Sequence, residues 1–464
     1  MKARPPIPAG PYLVVGLARS GLAAARLLSE RGEQVIGVDA GAVAAAGGIP
    51  GAELYAHEDG LVQLGRARAV VKSPGVPAQA PVIEAARARG LPVLGELELA
   101  WRLLENEFIA VTGTNGKTTT VELIGHIYRE ADLPVAVAGN VGVALSGLVG
   151  HVDPAATIVC EASSFQLDDA IELAPEAAVV LNVTPDHLDR HGTLDAYRAA
   201  KLRIFAHQGH GDLAVLPYEI DAVPAREHVG TLGGAHARGV LPGDVELVRF
   251  GEDPRAECAL HDGLLSWRGT PLLSVGELRL RGAHNVRNAL AAAAVCLARG
   301  IDADAVRVGL RSFAGVAHRL QEVARRGGVL YVNDSKATNI ASTLVALQAF
   351  SDGGVHLILG GQGKGQDFTA LADPVASSCR GVYLIGEDAP AIARALQTVN
   401  LPIHSCGDLV KAVDAASRTA SAGEVVLLSP ACASFDQFTN FEARGERFVE
   451  LARGGHDRVD SASS

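Results

Sequence analysis

The sequence predicts an α/β protein of three domains with largely parallel sheets, and two observations support this. An apolar strand, a glycine-containing turn and a helix recur along the whole chain, as in PYLVVGLARSGLAAARLL. This order is typical of parallel sheets covered by helices. Three stretches also look like independent domain starts, near Pro11, Phe108 and Ser312; in the third, a helical segment is followed by a charged connection and a new strand. The predicted domains are 1–106, 107–315 and 316–464.

Composition limits the function classes. The 464 residues are 48% hydrophobic, enough for several cores, and the net charge of −11 argues against nucleic acid or a membrane surface as partner. No apolar run suggests a signal peptide or a membrane span, so we expect a cytoplasmic protein. The six scattered cysteines form no C-x-x-C pair, which indicates buried thiols and not a zinc site.

The first predicted domain opens with a nucleotide-binding pattern. Its turn reads G-x-A-x-x-G, from Gly16 through Ala18 to Gly21, and Asp39 ends the next strand. This is close to a dinucleotide fingerprint, although the alanine methyl hinders the approach of a pyrophosphate. An NAD-dependent enzyme and a Rossmann-like domain with a non-redox nucleotide both remain open. A third strand ends in Ser73-Pro-Gly75, which supports a ligand site at this edge.

The second start contains a short phosphate loop. TGTNGKTTT has the spacing G-x-x-G-K-T, because Val111 stands where the usual loop has its first glycine. The loop predicts backbone N–H groups facing phosphates, Lys117 near the β- and γ-phosphates, and Thr118 near Mg²⁺. A glycine turn before a helix is the alternative. ATP is the expected ligand, held by Gly113, Thr114, Asn115, Gly116, Lys117, Thr118 and Thr119.

Polar residues follow three further strands of this domain. A carboxylate such as Glu161, at the end of an apolar strand, is costly unless a cation meets it, so the sequence favours Mg²⁺ there; a helix cap or a salt bridge is the alternative. From these residues alone, His187 in a polar loop and Lys201 on a helix are interpreted as solvated side chains. The strand-end residues are Asn140, Glu161, Ser163, Gln166, Asp186 and His187.

Eight motifs in one order give a stronger signal. The chain resembles the Mur ligase family of peptidoglycan precursor synthesis from Gly16 to about Arg444. Within that family, SPACASFDQF and NDSKATN resemble the enzyme that adds D-glutamate, and the DNPR signature of a diaminopimelate-adding relative is absent. The motifs are TGTNGKTTT, EASSFQL, NVTPDHLDRHG, RAAKLRIF, HNVRNALAA, HRLQ, NDSKATN and SPACASFDQFTNFEARG.

The resemblance implies a fold and a reaction. The fold would be a Rossmann-like N-terminal domain for the UDP substrate, a central phosphate-loop ATPase domain and a Rossmann-like C-terminal domain for D-glutamate. The reaction would add D-glutamate to UDP-N-acetylmuramoyl-L-alanine through an acyl phosphate made with ATP, releasing ADP and phosphate. It also implies a cytoplasmic monomer with two Mg²⁺ ions.

The resemblance further assigns roles by residue. The implied catalytic residues are Lys117, His187, Lys201 and Arg319. One Mg²⁺ would be held by Thr118 and Glu161, and the second by His187 and Lys201, the lysine being carbamylated by CO₂. Further nucleotide contacts would come from Asn285, Asn288, Arg319, Asp334 and Lys336. The UDP substrate would be bound by Arg19, Ser20, Asp39, Ser73, Gly75, Asn140, Ser163, Gln166 and His187, and D-glutamate by Thr338, Lys364, Ser434, Phe435 and Phe441.

Some features depart from the pattern. Thr439 stands where close relatives would have lysine, and Arg19 and Ser20 lie in a variable turn. The alternatives are a sister amino-acid-adding Mur ligase, a folylpolyglutamate synthase, an NAD dehydrogenase and a noncatalytic nucleotide sensor. The folate enzyme has little use for a Rossmann-like domain before its phosphate loop, and a sensor does not need Glu161, His187 and Lys201 together.

Overall fold

The computed structural model describes residues 2–43, 48–140, 142–220, 223–224, 240–241, 244–280, 282–350, 353–363 and 365–454. The chain forms two compact units. Unit 1 contains Met1–Arg279 and Ala283–Phe313, and unit 2 contains Leu280–Gly282 and Ala314–Ser464. The three domain ranges expected from sequence stay a prediction.

Unit 1 contains sixteen strands and nine α-helices among its described residues. The strands are β1 Tyr12–Val15, β2 Val35–Asp39, β3 Ala52–Ala56, β4 Ala69–Lys72, β5 Val93–Gly95, β6 Phe108–Thr112, β7 Val135–Gly139, β8 Thr157–Glu161, β9 Ala177–Val180, β10 Leu213–Pro217, β11 Val223–Pro224, β12 Val240–Leu241, β13 Glu246–Gly251, β14 Cys258–His261, β15 Leu264–Trp267 and β16 Thr270–Ser274. The helices are α1 Arg19–Glu30, α2 Pro81–Ala88, α3 Glu96–Leu103, α4 Lys117–Glu130, α5 Ser164–Asp168, α6 Leu188–His191, α7 Leu194–Leu202, α8 Ala283–Ala298 and α9 Ala303–Ser312.

Unit 2 adds six strands and five α-helices among its described residues. The strands are β17 Gln321–Arg326, β18 Val329–Asn333, β19 Val355–Gly360, β20 Cys379–Ile385, β21 Ile403–Gly407 and β22 Val425–Leu428. The helices are α10 Ile340–Gln348, α11 Ala372–Ser378, α12 Ala389–Ala395, α13 Leu409–Thr419 and α14 Phe441–Ala452.

The first sheet of unit 1 is entirely parallel. Its strand order is β3-β2-β1-β4-β5, which matches the Rossmann arrangement. Strand β1 lies in the centre and is fully apolar, as both faces of an inner parallel strand are buried. The carboxyl ends of β1, β2 and β4 therefore meet at one edge, where Gly16, Asp39 and Ser73 lie.

The second sheet of unit 1 carries the phosphate loop. Its order is β16-β15-β14-β13-β10-β9-β6-β8-β7, and only the pairs made by β15 are antiparallel. The buried strand β6 lies between β9 and β8, so the loop that follows it is flanked by the ends of two parallel neighbours. This is the edge at which open α/β sheets bind ligands.

Unit 2 has a third sheet, in the order β17-β18-β22-β19-β20-β21, and only the β17–β18 pair is antiparallel. The charged stretch between α9 and β18 includes QEVARR, which forms the edge strand β17, because an edge strand tolerates charged side chains on its exposed face. Together the three large sheets confirm the predicted α/β class with largely parallel sheets.

The described residues bear on two expectations from composition, which concern the cysteine thiols and membrane-spanning segments. All six cysteines lie within it and have free thiols; five are buried and Cys406 is half-buried. Among the helices described, none combines the length and the apolar character needed to cross a bilayer.

Candidate active site

The phosphate loop is shaped by its glycines and by a neighbouring helix. Gly116 has φ of +87°, a left-handed conformation that favours glycine, and it precedes the first turn of α4. A Cβ built on Gly116 would collide with the side-chain oxygen of Asn288 on α8. Asn288 in turn donates to Asn285 Oδ1 at 3.2 Å. The structure thus brings the predicted pair Asn285–Asn288 against the loop, and both are buried.

Two residues that the sequence did not single out support this loop. Asn182 Oδ1 accepts from the Asn115 N–H at 2.9 Å, and its Nδ2 donates to Asn115 O at 3.1 Å. The Thr184 N–H donates to Thr114 Oγ1 at 3.0 Å. Both belong to the segment after β9, in the motif NVTPDHLDRHG, and their polar side chains directly after a buried strand were the available signal. These bonds attach the loop to the segment after β9.

Lys117 and Lys201 converge on one backbone oxygen. Lys117 Nζ donates to Gly113 O at 2.8 Å and to Thr114 O at 3.0 Å. Lys201 Nζ, from α7, donates to the same Gly113 O at 2.7 Å. Both predicted catalytic lysines therefore lie at the start of the phosphate loop. Their positive charges suit a bound polyphosphate, and they repel each other when both are protonated.

Lys201 is not a surface residue. It is 1% exposed, and its ammonium lies 4.4 Å from the centre of the Tyr197 ring. Burial, reinforced by the charge of Lys117, lowers the pKa of Lys201 from 10.5 to about 7, against the opposing effect of Asp186 and Glu161. At neutral pH a large fraction of this amine is unprotonated and nucleophilic. Sequence alone could not predict that environment.

Glu161 ends β8 as an almost fully buried carboxylate, 2% exposed. Its Oε2 accepts from Thr118 Oγ1 at 2.7 Å, and its Oε1 accepts from Asn140 Nδ2 at 3.2 Å. A buried carboxylate beside a hydroxyl oxygen is a set of oxygen ligands that a hard cation such as Mg²⁺ prefers. The residues therefore fit the predicted metal. Among the described residues, no group of three or more His, Cys, Asp or Glu side chains forms a separate metal cluster.

His187 lies in a group of aromatic rings. Its backbone is left-handed, with φ of +50°, and its imidazole lies 5.0 Å from the Phe165 ring and 6.2 Å from the Tyr197 ring, between centres. Lys201 also contacts the Tyr197 ring, so His187 and Lys201 share Tyr197 as a neighbour. The buried His191 stacks on Phe165 and was not among the predicted residues. Burial lowers the pKa of His191, and the charge of Asp168 opposes that shift.

The first sheet holds its predicted site residues at one edge, but several of them have structural partners. Asp39 Oδ2 accepts from the Leu17 N–H at 2.5 Å, in the turn after β1, and its Oδ1 accepts from the Gly41 N–H at 2.8 Å, in the turn after β2. Ser73 Oγ donates to Gly16 O at 2.7 Å. The exposed Arg19 donates to Gly142 O at 3.1 Å, Ser20 is half-buried, and Gly75 is exposed.

Ser163 and Gln166 bond to each other as a capping box at the start of α5. Ser163 Oγ accepts from the Gln166 N–H at 3.2 Å, and Gln166 Oε1 accepts from the Ser163 N–H at 2.9 Å. These bonds satisfy two backbone donors that a helix start leaves free. Their predicted contact with substrate stays a prediction, whereas the structure shows that they define where α5 begins.

We expect Ser163→Ala to lower the opening free energy of α5 by about 1 kcal/mol, because the cap is lost. Amide hydrogen exchange at Gln166, whose N–H the Ser163 hydroxyl accepts, should then be roughly fivefold faster. Asp302→Ala, which removes the equivalent cap of α9, is the matched control and should leave Gln166 exchange unchanged. Unchanged exchange in Ser163→Ala would contradict the role of the cap.

Unit 2 contains the residues predicted for D-glutamate. Ser434 is buried, Phe435 is 63% exposed, and Thr338 and Phe441 are half-buried. Lys336 Nζ lies 3.9 Å from the centre of the Phe441 ring. Lys364 lies outside the described residues. Thus a cation, hydroxyls and apolar rings are present in the segments that follow β18 and β22.

Asp334 is a second buried carboxylate, in unit 2. It accepts from Ser429 Oγ at 2.7 Å and from the Leu320 N–H at 3.2 Å. Burial raises the pKa of Asp334 to about 7, and these hydrogen bonds and the charge of Arg319 oppose the rise. Arg319 and Asp334, predicted separately from two motifs, therefore interact within unit 2.

Arg444 is a functional candidate that the sequence did not identify. It is 1% exposed, and its guanidinium donates to Ser335 Oγ at 3.0 Å, Ser335 O at 2.9 Å and Cys432 O at 3.1 Å. These bonds tie the segment after β18 to the segment after β22. A buried arginine on α14 therefore joins the two predicted D-glutamate segments, in addition to the bond from Ser429 to Asp334.

Comparisons with known proteins agree with this architecture. The family model of the Mur ligase middle domain matches residues 111–296, and that of the Mur ligase glutamate ligase domain matches residues 318–432. UDP-N-acetylmuramoylalanine–D-glutamate ligase of Acidobacterium capsulatum is 42% identical over 455 residues, covering 95% of both chains. The chain belongs to the Mur ligase family. The enzyme of the same name in Anaeromyxobacter dehalogenans is 43% identical to this Mur ligase over 460 residues, covering 95% of this chain and 96% of the relative.

Solved structures show the same fold. UDP-N-acetylmuramate-alanine ligase from Thermotoga maritima matches with a TM-score of 0.58 at 20% identity, over 96% of this Mur ligase and 99% of that chain. MurF ligase from Thermotoga maritima, in complex with ADP, matches with a TM-score of 0.55 at 16% identity, over 91% and 95% of the two chains. The three-domain Mur ligase fold predicted from the motifs is thereby confirmed.

Proposed function

We propose that this Mur ligase joins D-glutamate to UDP-N-acetylmuramoyl-L-alanine, using ATP, in peptidoglycan precursor synthesis. Relatives of this name share about two fifths of their residues with it over nearly the full chain. The observation that carries the proposal is the convergence of Lys117, Lys201 and the buried Thr118–Glu161 pair at one phosphate loop. Such a group suits phosphoryl transfer and has no use in hydride transfer.

The reaction proceeds in two displacement steps. The alanine carboxylate of the UDP substrate attacks the γ-phosphorus of ATP and releases ADP, which gives an acyl phosphate. The amine of D-glutamate then attacks the acyl carbon, loses a proton and expels phosphate, which forms the amide. Phosphoryl transfer depends mainly on positioning and on compensating negative charge.

The residues of unit 1 supply that positioning and charge. Lys117 exchanges its bonds to loop carbonyls for bonds to phosphate oxygens, and the first-turn N–H groups of α4 face the same anions. Asn285 and Asn288, beside Gly116, contact the nucleotide. Mg²⁺, when bound, compensates the phosphate charge and polarises the γ-phosphate. Glu161 and Thr118 would hold it through a carboxylate and a hydroxyl oxygen.

Lys201 carries a second part of the proposal. Its neutral amine attacks CO₂ at carbon and loses a proton, so that a carbamate anion replaces a potential cation. An anionic group there, near His187, is suited to hold a second Mg²⁺, whereas an ammonium would repel it. The lowered pKa of Lys201 supports this step, because only the unprotonated amine reacts.

Unit 2 supplies the proposed acceptor site. Thr338, Ser434 and the backbone near Phe435 and Phe441 would receive the carboxylates of D-glutamate, together with Lys364. The two segments are held at fixed spacing by Arg444, which supports a site built from both. The nucleotide contacts predicted for Arg319, Asp334 and Lys336 stay predictions, as do the monomeric state and the cytoplasmic location.

The decisive experiment measures Mg²⁺-dependent phosphate release from ATP with UDP-N-acetylmuramoyl-L-alanine. D-glutamate, L-glutamate, L-alanine, L-lysine and diaminopimelate are added separately, and the ligated product is detected by mass spectrometry. We expect product and phosphate with D-glutamate only. Turnover with a different amino acid would make the chain a sister ligase, and ATP binding without turnover would indicate a nucleotide sensor.

A further inference from the structure

The loop Ser73–Val76, here called the SPG loop, is held through its backbone oxygens by two cations. Arg190 Nη2 donates to Pro74 O at 3.1 Å and to Val76 O at 3.2 Å. Lys72 Nζ donates to Val76 O at 2.7 Å. Hydrogen bonds from charged donors are stronger than neutral ones, so the loop's position depends on these two side chains.

Arg190 lies on α6, among the elements around the second sheet, whereas the SPG loop follows β4 of the first sheet. Helix α6 begins directly after His187, and the Arg190 N–H donates to His187 O at 3.1 Å. The guanidinium carbon lies 4.1 Å from the centre of the Phe165 ring, in a cation–π contact. Phe165 is the ring that His187 contacts at 5.0 Å. One arginine therefore touches both the SPG loop and the neighbours of His187.

A second connection runs beside the first. Lys72 Nζ lies 2.7 Å from Asp169, just after α5, and the two side chains are 0% and 5% exposed. Burial lowers the pKa of Lys72 and raises the pKa of Asp169, whereas their mutual attraction opposes both shifts. Removing one partner of such a pair leaves a buried charge uncompensated. Lys72, which is held by Asp169, and Arg190 thus both bond to Val76 O, and Arg190 also bonds to Pro74 O.

We propose that Arg190 is a positioning residue that couples the SPG loop to the His187 loop. The inference rests on the proposed function, in which Ser73 and Gly75 bind the UDP substrate and His187 acts near the transferred phosphate. Substrate bound at Ser73 and Gly75 would restrict the SPG loop further, and the carbonyls of Pro74 and Val76 would pass that restriction through the guanidinium to Phe165 and α6. Binding at one site then costs less conformational entropy at the other.

The steady-state test compares Arg190→Ala and Arg190→Lys with Arg203→Lys. Arg203 is a matched control, because it also donates to two backbone carbonyls, Leu167 O at 3.0 Å and Ala170 O at 2.5 Å. Both carbonyls belong to the same part of the chain as Arg203, around the second sheet, so Arg203 does not contact the SPG loop through them. For Arg190→Ala we expect KM for the UDP substrate to rise and kcat to fall, each about tenfold, with KM for ATP within about twofold. Arg190→Lys should recover part of the KM only, since a compact ammonium lacks the planar guanidinium that bonds to the carbonyls and packs on the Phe165 ring at the same time.

Amide hydrogen exchange on α6 provides a readout that a purely structural role would not change. UDP-N-acetylmuramoyl-L-alanine should slow exchange at His191 and Gly192 in the unmutated chain and in Arg203→Lys, but not in Arg190→Ala. Suppose that the unmutated enzyme turns over. If Arg190→Ala then keeps the ligand-induced slowing of exchange, or has the same KM and kcat as Arg203→Lys, the inference about Arg190 is wrong and the proposed function stands. Absence of turnover in the unmutated chain would overturn both.

Discussion

Replacing Lys201 by methionine is expected to lower kcat by on the order of 10²–10³-fold, the typical cost of losing one charged group of a preorganised site. Methionine keeps most of the volume of a side chain that is 1% exposed, so packing is largely preserved. The substitution removes the amine that would become a carbamate. It also removes the charge that burial disfavours, so stability below pH 10 should not fall. Lost activity with retained stability therefore separates a chemical role from misfolding.

The pH dependence of CO₂ activation follows from the lowered pKa of Lys201. With a pKa of about 7, the neutral amine fraction rises up to that pH and then levels off. After removal of CO₂ and bicarbonate, the rate of reactivation by CO₂ should be half-maximal near pH 7. An ordinary lysine would instead give a rate that keeps increasing about tenfold per pH unit towards its pKa near 10.4.

Direct detection of the carbamate completes this test. Incubation with ¹³C-bicarbonate should give one carbamate carbon signal in the unmutated chain, and Lys201→Met should lack it. Lys411→Met is the control, because Lys411 is an exposed lysine paired with Asp408, and it should keep both the signal and the activity. A signal that persists in Lys201→Met, or a kcat within about threefold of the unmutated chain, would contradict the role given to Lys201.

The sequence predicted the parts of the site that depend on local order. The phosphate loop and Glu161 follow from strand, loop and helix patterns, because the carboxyl ends of parallel strands share one edge, whereas the Asn285–Asn288 pair was implied by the resemblance to the Mur ligase family. The spacing of Gly113, Gly116 and Lys117 sufficed to place the loop before α4. Chemistry carried by neighbours in the chain can therefore be predicted from a single sequence.

The sequence could not reveal properties that arise from distant contacts. Lys201 bonds to Gly113 O across 88 residues, and its pKa is lowered by its burial and by the charge of Lys117. Arg190 reaches carbonyls more than 110 residues away, and Arg444 reaches Ser335 across 109 residues. Asp39 Oδ2 accepts from the N–H of Leu17, 22 residues away, and its predicted contact with substrate stays a prediction. In each case the residue type is visible in the sequence and the partner is not.

Glu161→Gln is expected to change activity and stability in opposite directions. The amide keeps the shape of the side chain and can still accept from Thr118 or Asn140, but it carries no charge for Mg²⁺. We therefore expect kcat/KM for ATP to fall by on the order of 10²–10³-fold and the Mg²⁺ concentration needed for half-maximal rate to rise. Without metal, stability should be equal or higher, because a buried carboxylate is replaced by a neutral group.

The measurement pairs ATPase kinetics with urea unfolding in EDTA and in Mg²⁺-ATP. Glu122→Gln is the matched control, since Glu122 is a half-buried carboxylate on α4, close enough for its charge to interact with Glu161. That control should keep kcat/KM within about threefold and keep the stabilisation by Mg²⁺-ATP. A Glu161→Gln chain that loses stability in EDTA would show that Glu161 mainly supports the fold. Higher stability with lost activity would show that the carboxylate is retained at a cost to folding because the metal requires it.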